Sequence, residues 1–269
     1  MAGGAYRAVY LKSDSTVWTC GGEPLTPVAQ IAGLSGIKQI RAGKSYELFL
    51  KSNATVWGMG LNNNGQLGDG TNVDAATPIQ IPALSGIIAI SCGTHSLFLK
   101  SDGTVWACGV NQYGQLGDVT LVDKNVPTQV TGLTGITAIS TGASHSLFLK
   151  NDGTVWACGL NVYGQLGIGT TAQNSSTAVQ IPSLSGIVAI AAAKNSLFLK
   201  SDGTVWGCGK NQYGEIGNGT TTQQITPVQA TPFCTIATAV EKNTVETDIV
   251  IQTSNPNTDI LNITTSQNG

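Results

Sequence analysis

The stretch Leu97-Phe98-Leu99-Lys100-Ser101-Asp102-Gly103-Thr104-Val105-Trp106-Ala107-Cys108-Gly109 reads as two short strands joined by a tight turn. Asp-Gly supplies the left-handed backbone geometry of a hairpin turn at little steric cost. Alternation along the strands sets Leu97 and Leu99 on one face and Phe98 on the other, with Trp106 and Cys108 opposite Val105 and Ala107. The same words return at 147–159 and 197–209, and looser versions stand at 9–21 and 48–60. In such a chain each residue is judged by its column, because a side chain that recurs with every repeat belongs first to the architecture.

The tryptophans Trp18, Trp57, Trp106, Trp156 and Trp206 form one column, at intervals of 39, 49, 50 and 50 residues. Phe49, Phe98, Phe148 and Phe198 form a second, in which Tyr10 stands first. Periods near fifty predict propeller blades of about four strands each, with a solenoid as the other arrangement. Both faces of the hairpin carry apolar groups, so its sheet must be covered on both sides, as it is when blades stack in a ring.

Each full repeat supplies two further strands. In the third these are Pro127-Thr128-Gln129-Val130 and Ile136-Thr137-Ala138-Ile139. The hairpin is followed by a Gly- and Asn-rich segment: Asn62-Asn63-Asn64-Gly65-Gln66-Leu67-Gly68, then Asn111 to Gly117, Asn161 to Gly167 and Asn211 to Gly217. Fixed Gly and Asn suit a compact turn that needs positive φ or close backbone approach. The first repeat lacks this segment. The expected fold is therefore all-β: a β-propeller or partial propeller of about five four-stranded blades, the first abbreviated. Past the fifth hairpin the pattern fades, placing a boundary at 234/235. Residues 235–269 read as a linker and the opening strands of a second element, with extended runs at 248–251 and 259–263 around the turn signal Asn255-Pro256-Asn257.

Composition narrows the function. Only 10% of residues are charged, 41% are hydrophobic and 34 are Gly, the reverse of the pattern for disorder. The formal net charge of −2 and the absence of a basic run exclude a nucleic-acid partner. No apolar run is long enough for a spanning helix, so direct membrane insertion is not expected. The first residues lack a signal peptide and enter a repeat directly, so the native export signal and any upstream blades of a larger parent chain are expected beyond Met1. Cys20, Cys108, Cys158 and Cys208 share a column with Met59, which points to buried thiols; Cys92 and Cys234 lie outside it. No C-x-x-C pair supports a metal site.

The residues that look like chemistry are explained by the repeat. His95 and His145 stand in a column that reads Arg7, Tyr46, His95, His145, Asn195, and are expected to be buried structural side chains bonded to loop backbone. Asp102, Asp152 and Asp202 follow turn chemistry, with Asp14 and Asn53 in the same column. Gly43-Lys44-Ser45 resembles the end of a phosphate loop, but the first glycine of such a loop would fall at Lys38 and a strand follows. Asp69 and Asp74 match no complete calcium loop. Neither catalytic residues, nor a cofactor, nor a metal is expected, and the chain is not expected to be an enzyme. Variable segments of a repeat often gather on one binding face. Asn72, Asp74, Leu121, Asp123, Lys124 and Asn174 in those segments, with the recurring Tyr113, Tyr163 and Tyr213, are the candidates for contact with a protein partner.

The series Gly142-x-x-His145-Ser146, Asp152-Gly153-Thr154-Val155-Trp156-x-Cys158-Gly159-x-Asn161-x-Tyr163-Gly164-Gln165-Leu166-Gly167 resembles the regulator of chromosome condensation repeats, over about residues 2–230. The resemblance implies a β-propeller, commonly of seven blades, acting as a protein-interaction scaffold. One branch of that family promotes nucleotide exchange on a small GTPase, and a bacterial branch is secreted. The low charge and near-identical units resemble the latter. The tail from Ile249 to Ile263 resembles the start of a type IX secretion sorting domain. Together these imply a non-catalytic module at a bacterial cell surface or outside the cell. A purely structural repeat module and an exchange-type regulator of a small GTPase are the other readings.

Overall fold

A computed structural model describes residues 2–3, 7–21, 26–82, 84–171, 174–231, 249–254 and 260–265. Five four-stranded antiparallel sheets follow one another, each a simple meander in chain order. Sheet 1 is formed by Ala2–Gly3, Arg7–Leu11, Val17–Gly21 and Thr26–Gln30, and sheet 2 by Ile37–Ala42, Tyr46–Lys51, Val56–Gly60 and Ala75–Gln80. Sheet 3 comprises Ile87–Cys92, His95–Lys100, Val105–Gly109 and Lys124–Gln129. Sheet 4 runs through Ile136–Thr141, His145–Lys150, Val155–Gly159 and Ser175–Gln180. Sheet 5 is built from Ile187–Ala192, Asn195–Lys200, Val205–Gly209 and Gln224–Gln229. The expected abbreviation of the first blade lies between its third and fourth strands, which are separated by residues 22–25 where sheet 2 has 61–74.

The quoted hairpin pairs Phe98 with Trp106 and Leu97 with Ala107. Its turn closes through Gly103 N–H to the Lys100 carbonyl at 3.0 Å, with Gly103 at φ 77°. Asp102 Oδ1 accepts from the Thr104 amide at 2.9 Å and from its hydroxyl at 2.6 Å, which is why an Asp or Asn recurs there. Lysine ammonium groups lie over every tryptophan of the column, from Lys51 at 4.3 Å above Trp57 to Lys150 at 5.9 Å above Trp156. The tryptophans are half-buried pillars of the hairpins.

Each sheet covers the next. Leu97, Leu99, Val105, Ala107, Leu116 and Val130 of sheet 3 enclose Phe148 and Cys158 of sheet 4. The sheet-4 counterparts enclose Phe198 and Cys208, and those of sheet 2 enclose Phe98 and Cys108. The two-sided apolar pattern of the hairpin is thereby satisfied. First strands of successive sheets from 2 to 5 lie side by side at the inner edge, so the sheets fan around an axis. No extensive packing joins sheet 5 to sheet 1 among the described residues. At the rim, Pro27, Pro78, Pro127 and Pro227 sit in the fourth strands, where a missing N–H is tolerated; sheet 4 carries Ala178 instead.

Polar clasps join the sheets near the inner edge. His95 Nε2 meets Ser146 Oγ at 2.7 Å, and His145 Nε2 meets Ser196 Oγ at 2.8 Å. The Tyr46 hydroxyl donates to the His95 carbonyl at 2.8 Å and lies 2.9 Å from Ser96 Oγ. Between sheets 1 and 2 the same columns hold Arg7 and Glu47. Burial raises the Glu47 pKa, and the Arg7 charge opposes that rise. Both histidines are fully buried, as expected, but their partners are serines of the following sheet; those serines, in turn, bond loop backbone.

Cys108, Cys158 and Cys208 are buried free thiols, while Cys20 is free and half-buried. Cys92 is free and half-buried. The tail strands Ile249–Ser254 and Ile260–Thr265 pair antiparallel. Cys234, the segment 235–248 with the boundary before it, and the turn 255–257 lie outside the described residues.

Candidate functional site

The loops between the third and fourth strands of sheets 2 to 5 share one construction, centred on a buried asparagine. Asn111 is fully buried, and its Nδ2 donates to Asp118 Oδ1 at 2.9 Å, to the Thr120 carbonyl at 3.1 Å and to the Val122 carbonyl at 3.2 Å. Its Oδ1 accepts from the Leu116 amide at 3.0 Å. Asn62, Asn161 and Asn211 occupy the same hub, each accepting the equivalent amide from Leu67, Leu166 or Ile216. An amide suits this post because it donates twice and accepts at once, which neither a carboxylate nor a hydroxyl can do.

The loops of sheets 2, 3 and 4 are each wedged onto the following sheet. A Cβ on Gly114 would stand 2.4 Å from Ser176 Cα, so only glycine admits this approach. Backbone bonds complete the seam: Gly70 N–H to the Asn125 carbonyl at 2.8 Å, Val119 to Ser176 at 3.0 Å, and Gly169 to Ile225 at 2.9 Å. Both uses expected of the Gly-Asn segment, positive φ and close approach, are present.

The structure brings the candidate residues onto these loops but gives them different tasks. Asp74, Asp123 and Asn174 form a structural column, each accepting the hub asparagine's own amide, at 2.7, 2.7 and 3.0 Å. Asp123 Oδ2 also accepts from Asn64 Nδ2 of the preceding loop at 3.0 Å. Lys124 pairs with the buried Asp118 at 3.5 Å. Hydrogen bonds from Thr120 and Asn111, helped by the Lys124 charge, hold the Asp118 pKa below the usual range against the opposing effect of burial. Asn72 Nδ2 donates to the Asn63 carbonyl at 3.3 Å. Tyr113 is half-buried, Tyr163 is 38% exposed and Tyr213, beneath the Lys210 ammonium at 5.0 Å, is 73% exposed. Leu121 projects into solvent.

The hub's partners, residues 7 and 12 or 13 positions beyond it, gave no separate signal in sequence. Nor did Val119, whose φ of 67° lies where the other loops place Gly70, Gly169 and Gly219. Aligning that column alone would have exposed it.

Among the described residues no three His, Cys, Asp or Glu side chains converge as a metal site. No described helix is long and apolar enough to cross a membrane. Polar side chains that resemble catalytic groups are engaged in clasps, hubs and turns.

Comparison with known proteins agrees with this construction. Human WBSCR16 superposes with a TM-score of 0.77 at 22% identity, over 85% of this chain and 66% of that one. Prp20p of Saccharomyces cerevisiae, described with its binding to Gsp1p and histones, gives 0.75 at 20% identity, over 86% and 62%. Yeast RCC1 (Prp20) bound to Kap60 gives 0.73 at 23%, over 85% and 62%. The chain thus spans less than two thirds of each of these structures. No curated protein matches it in sequence.

These likenesses correct the expectation of a bacterial, secreted or cell-surface protein, since the similar structures are those of human and yeast proteins, one of them described with its binding to histones. The family model runs on through Thr253, into the stretch read as the start of a type IX sorting domain, and lends that reading no support. That model, the RCC1-like domain, matches residues 1–253, and the chain belongs to this family of β-propeller, protein-interaction scaffolds.

Proposed function

We propose that the chain is a non-catalytic interaction module that meets its partner through the third-to-fourth-strand loops, and that this partner is a small GTPase whose nucleotide release it promotes. The observation that carries the docking face is the bracing of those loops: a hub asparagine holds each one, and seam bonds tie those of sheets 2 to 4 to the following sheet before any partner arrives. Pre-ordering lowers the entropic cost of association, so modest contacts suffice. The finer reading, exchange on a GTPase, is supported by family membership and by the partner named with Prp20p, Gsp1p.

Release of fluorescent GDP from a panel of purified small GTPases, with and without this chain, tests it. Acceleration with at least one GTPase, weakened by Asn111→Asp, is the expected result. Unchanged release across the panel removes the exchange reading. Binding of the same GTPases in a sedimentation assay then decides whether the broader docking reading stands.

A further inference from the structure

The outer edges of the five sheets can be compared post by post, because in each the third-strand tryptophan is paired with a glutamine of the fourth strand. Two residues before that glutamine stand Pro78, Pro127 and Pro227 in sheets 2, 3 and 5. Sheet 1 carries its proline one residue earlier, at Pro27. Ser175–Gln180 of sheet 4 is the one fourth strand without a proline; it carries no charged residue either, and Ala178 holds the post. Proline and charge are the usual guards of an exposed edge, because the first offers no N–H and the second resists a neighbouring chain.

The phase of the ladder shows which groups this edge leaves open. Val179 is paired with Ala157, Gln180 with Trp156, and the Ile181 amide donates to the Val155 carbonyl at 2.9 Å. Backbone groups alternate along an antiparallel strand, so 179 and 181 turn theirs toward the third strand while 178 and 180 turn theirs outward. Among the described residues nothing bonds the outward amides of Ala178 and Gln180. The Ala178 methyl group packs onto the core between sheets 3 and 4 rather than across the edge. The same edge already takes a backbone partner at its start, where the Ser176 carbonyl accepts the Val119 amide of the preceding loop at 3.0 Å. We propose that this edge receives an extended segment of a partner protein as a fifth strand, bonded through the main chain at Ala178 and Gln180. An edge this short buries too little surface to hold two whole copies together, but it suits a single slender strand. The segment must offer N–H groups, and so lack proline, where it faces those two residues. With no charge on the strand, its binding depends little on salt. The proposal concerns the rim and is independent of the loop-face reading.

A phage-displayed library of random peptides, selected on the whole chain and counter-selected on its Ala178→Pro variant, tests it. The variant takes the residue that sheets 2, 3 and 5 use at this post and is expected to keep its fold. Selected peptides should bind it at least about tenfold more weakly than the parent chain. N-methylation of single peptide amides should weaken binding at alternate positions and not between them. Hydrogen exchange read residue by residue checks the edge without any substitution. Ala178 and Gln180 should exchange freely in the unbound chain and slow at least about tenfold with saturating peptide, while Val179 is protected in both states. Tyr213→Ser, on the loop face, should leave affinity unchanged. Peptides that bind Ala178→Pro equally well, or tolerate N-methylation at every position, would overturn the proposal, as would failure of any sequence to enrich. Protection of the Ala178 and Gln180 amides in the unbound chain would mean the edge is already closed, and ends it as well. Dimerisation of the chain that Ala178→Pro abolishes would put a second copy in the segment's place and refute the partner strand.

Discussion

Ser146 Oγ stands 2.7 Å from His95 Nε2 and spends its own proton on the Gln115 carbonyl, also at 2.7 Å. His95 must therefore donate from Nε2, which leaves Nδ1 unprotonated and, in this structure, without a partner. The serine is the pivot of the clasp, holding a ring from one sheet and a loop carbonyl of the same sheet at once. Ser146→Ala strands both groups in a dry environment. It should lower unfolding free energy by about 2–3 kcal/mol, read from urea denaturation, with far-UV dichroism unchanged.

Acid should loosen the stack of sheets before it affects the turns. Burial, with a smaller effect of His145, holds His95 down at about 3, and burial alone holds His145 at about 4. Unfolded histidine titrates near about 6.5, so the unfolded chain takes up protons first as pH falls. The stabilisation is complete above about pH 6.5. Below that it declines by about 1.4 kcal/mol per pH unit for each ring until the folded pKa is reached. His145→Tyr copies Tyr46, which likewise has a glycine three residues earlier, and should roughly halve the slope between about pH 6 and 4.5. Asp14, Asp102, Asp152 and Asp202, held low mainly by threonine hydrogen bonds, add a separate decline only below about pH 4.

Four described positions, Ser15, Ala54, Val119 and Ser183, place a side chain at positive φ where other repeats use glycine. Ala54 sits at φ 64° in the column of Gly103, Gly153 and Gly203, and Val119 sits at φ 67° in the column of Gly70. Relief of left-handed strain is worth about 1–2 kcal/mol, from which glycine's extra unfolded entropy subtracts about 0.5–1. Ala54→Gly and Val119→Gly should each raise stability by up to about 1 kcal/mol, seen as a higher melting temperature.

The hub asparagines should differ in their tolerance of a carboxylate. Asn111→Asp loses three donated bonds and faces Asp118, costing about 3 kcal/mol or more, with hydrogen exchange accelerating across 116–123. Asn161→Asp faces Ile168 in that place and loses the bond to the Thr170 carbonyl at 2.7 Å, so its cost should be smaller. Equal losses in the two variants would refute the proposed role of Asp118.

Much of this fold could be read from columns. The Trp, Phe and Cys spacings carry the strand period and the blade period together, so five sheets, their faces and the short first blade followed from the sequence. The clasps did not: Tyr46 with Ser96 and His95 with Ser146 are chemically unlike pairs at equivalent posts, and only coordinates show that each bridges successive sheets. The candidate loops were legible as loops, but Asp74, Asp123 and Asn174 proved to brace them, because a polar residue in a variable segment carries the same signature whether it faces a partner or its own backbone. Localisation failed for a different reason. Low charge and even repeats describe the scaffold and hold no information about compartment.

The serial shielding of one sheet by its neighbour makes the molecule's robustness depend on where it is injured. Damage to the first or last sheet trims a stack that remains otherwise intact. The same lesion at Phe98 or Phe148 splits it into two shorter stacks, each with a newly bared greasy end and too few neighbours to stand well alone.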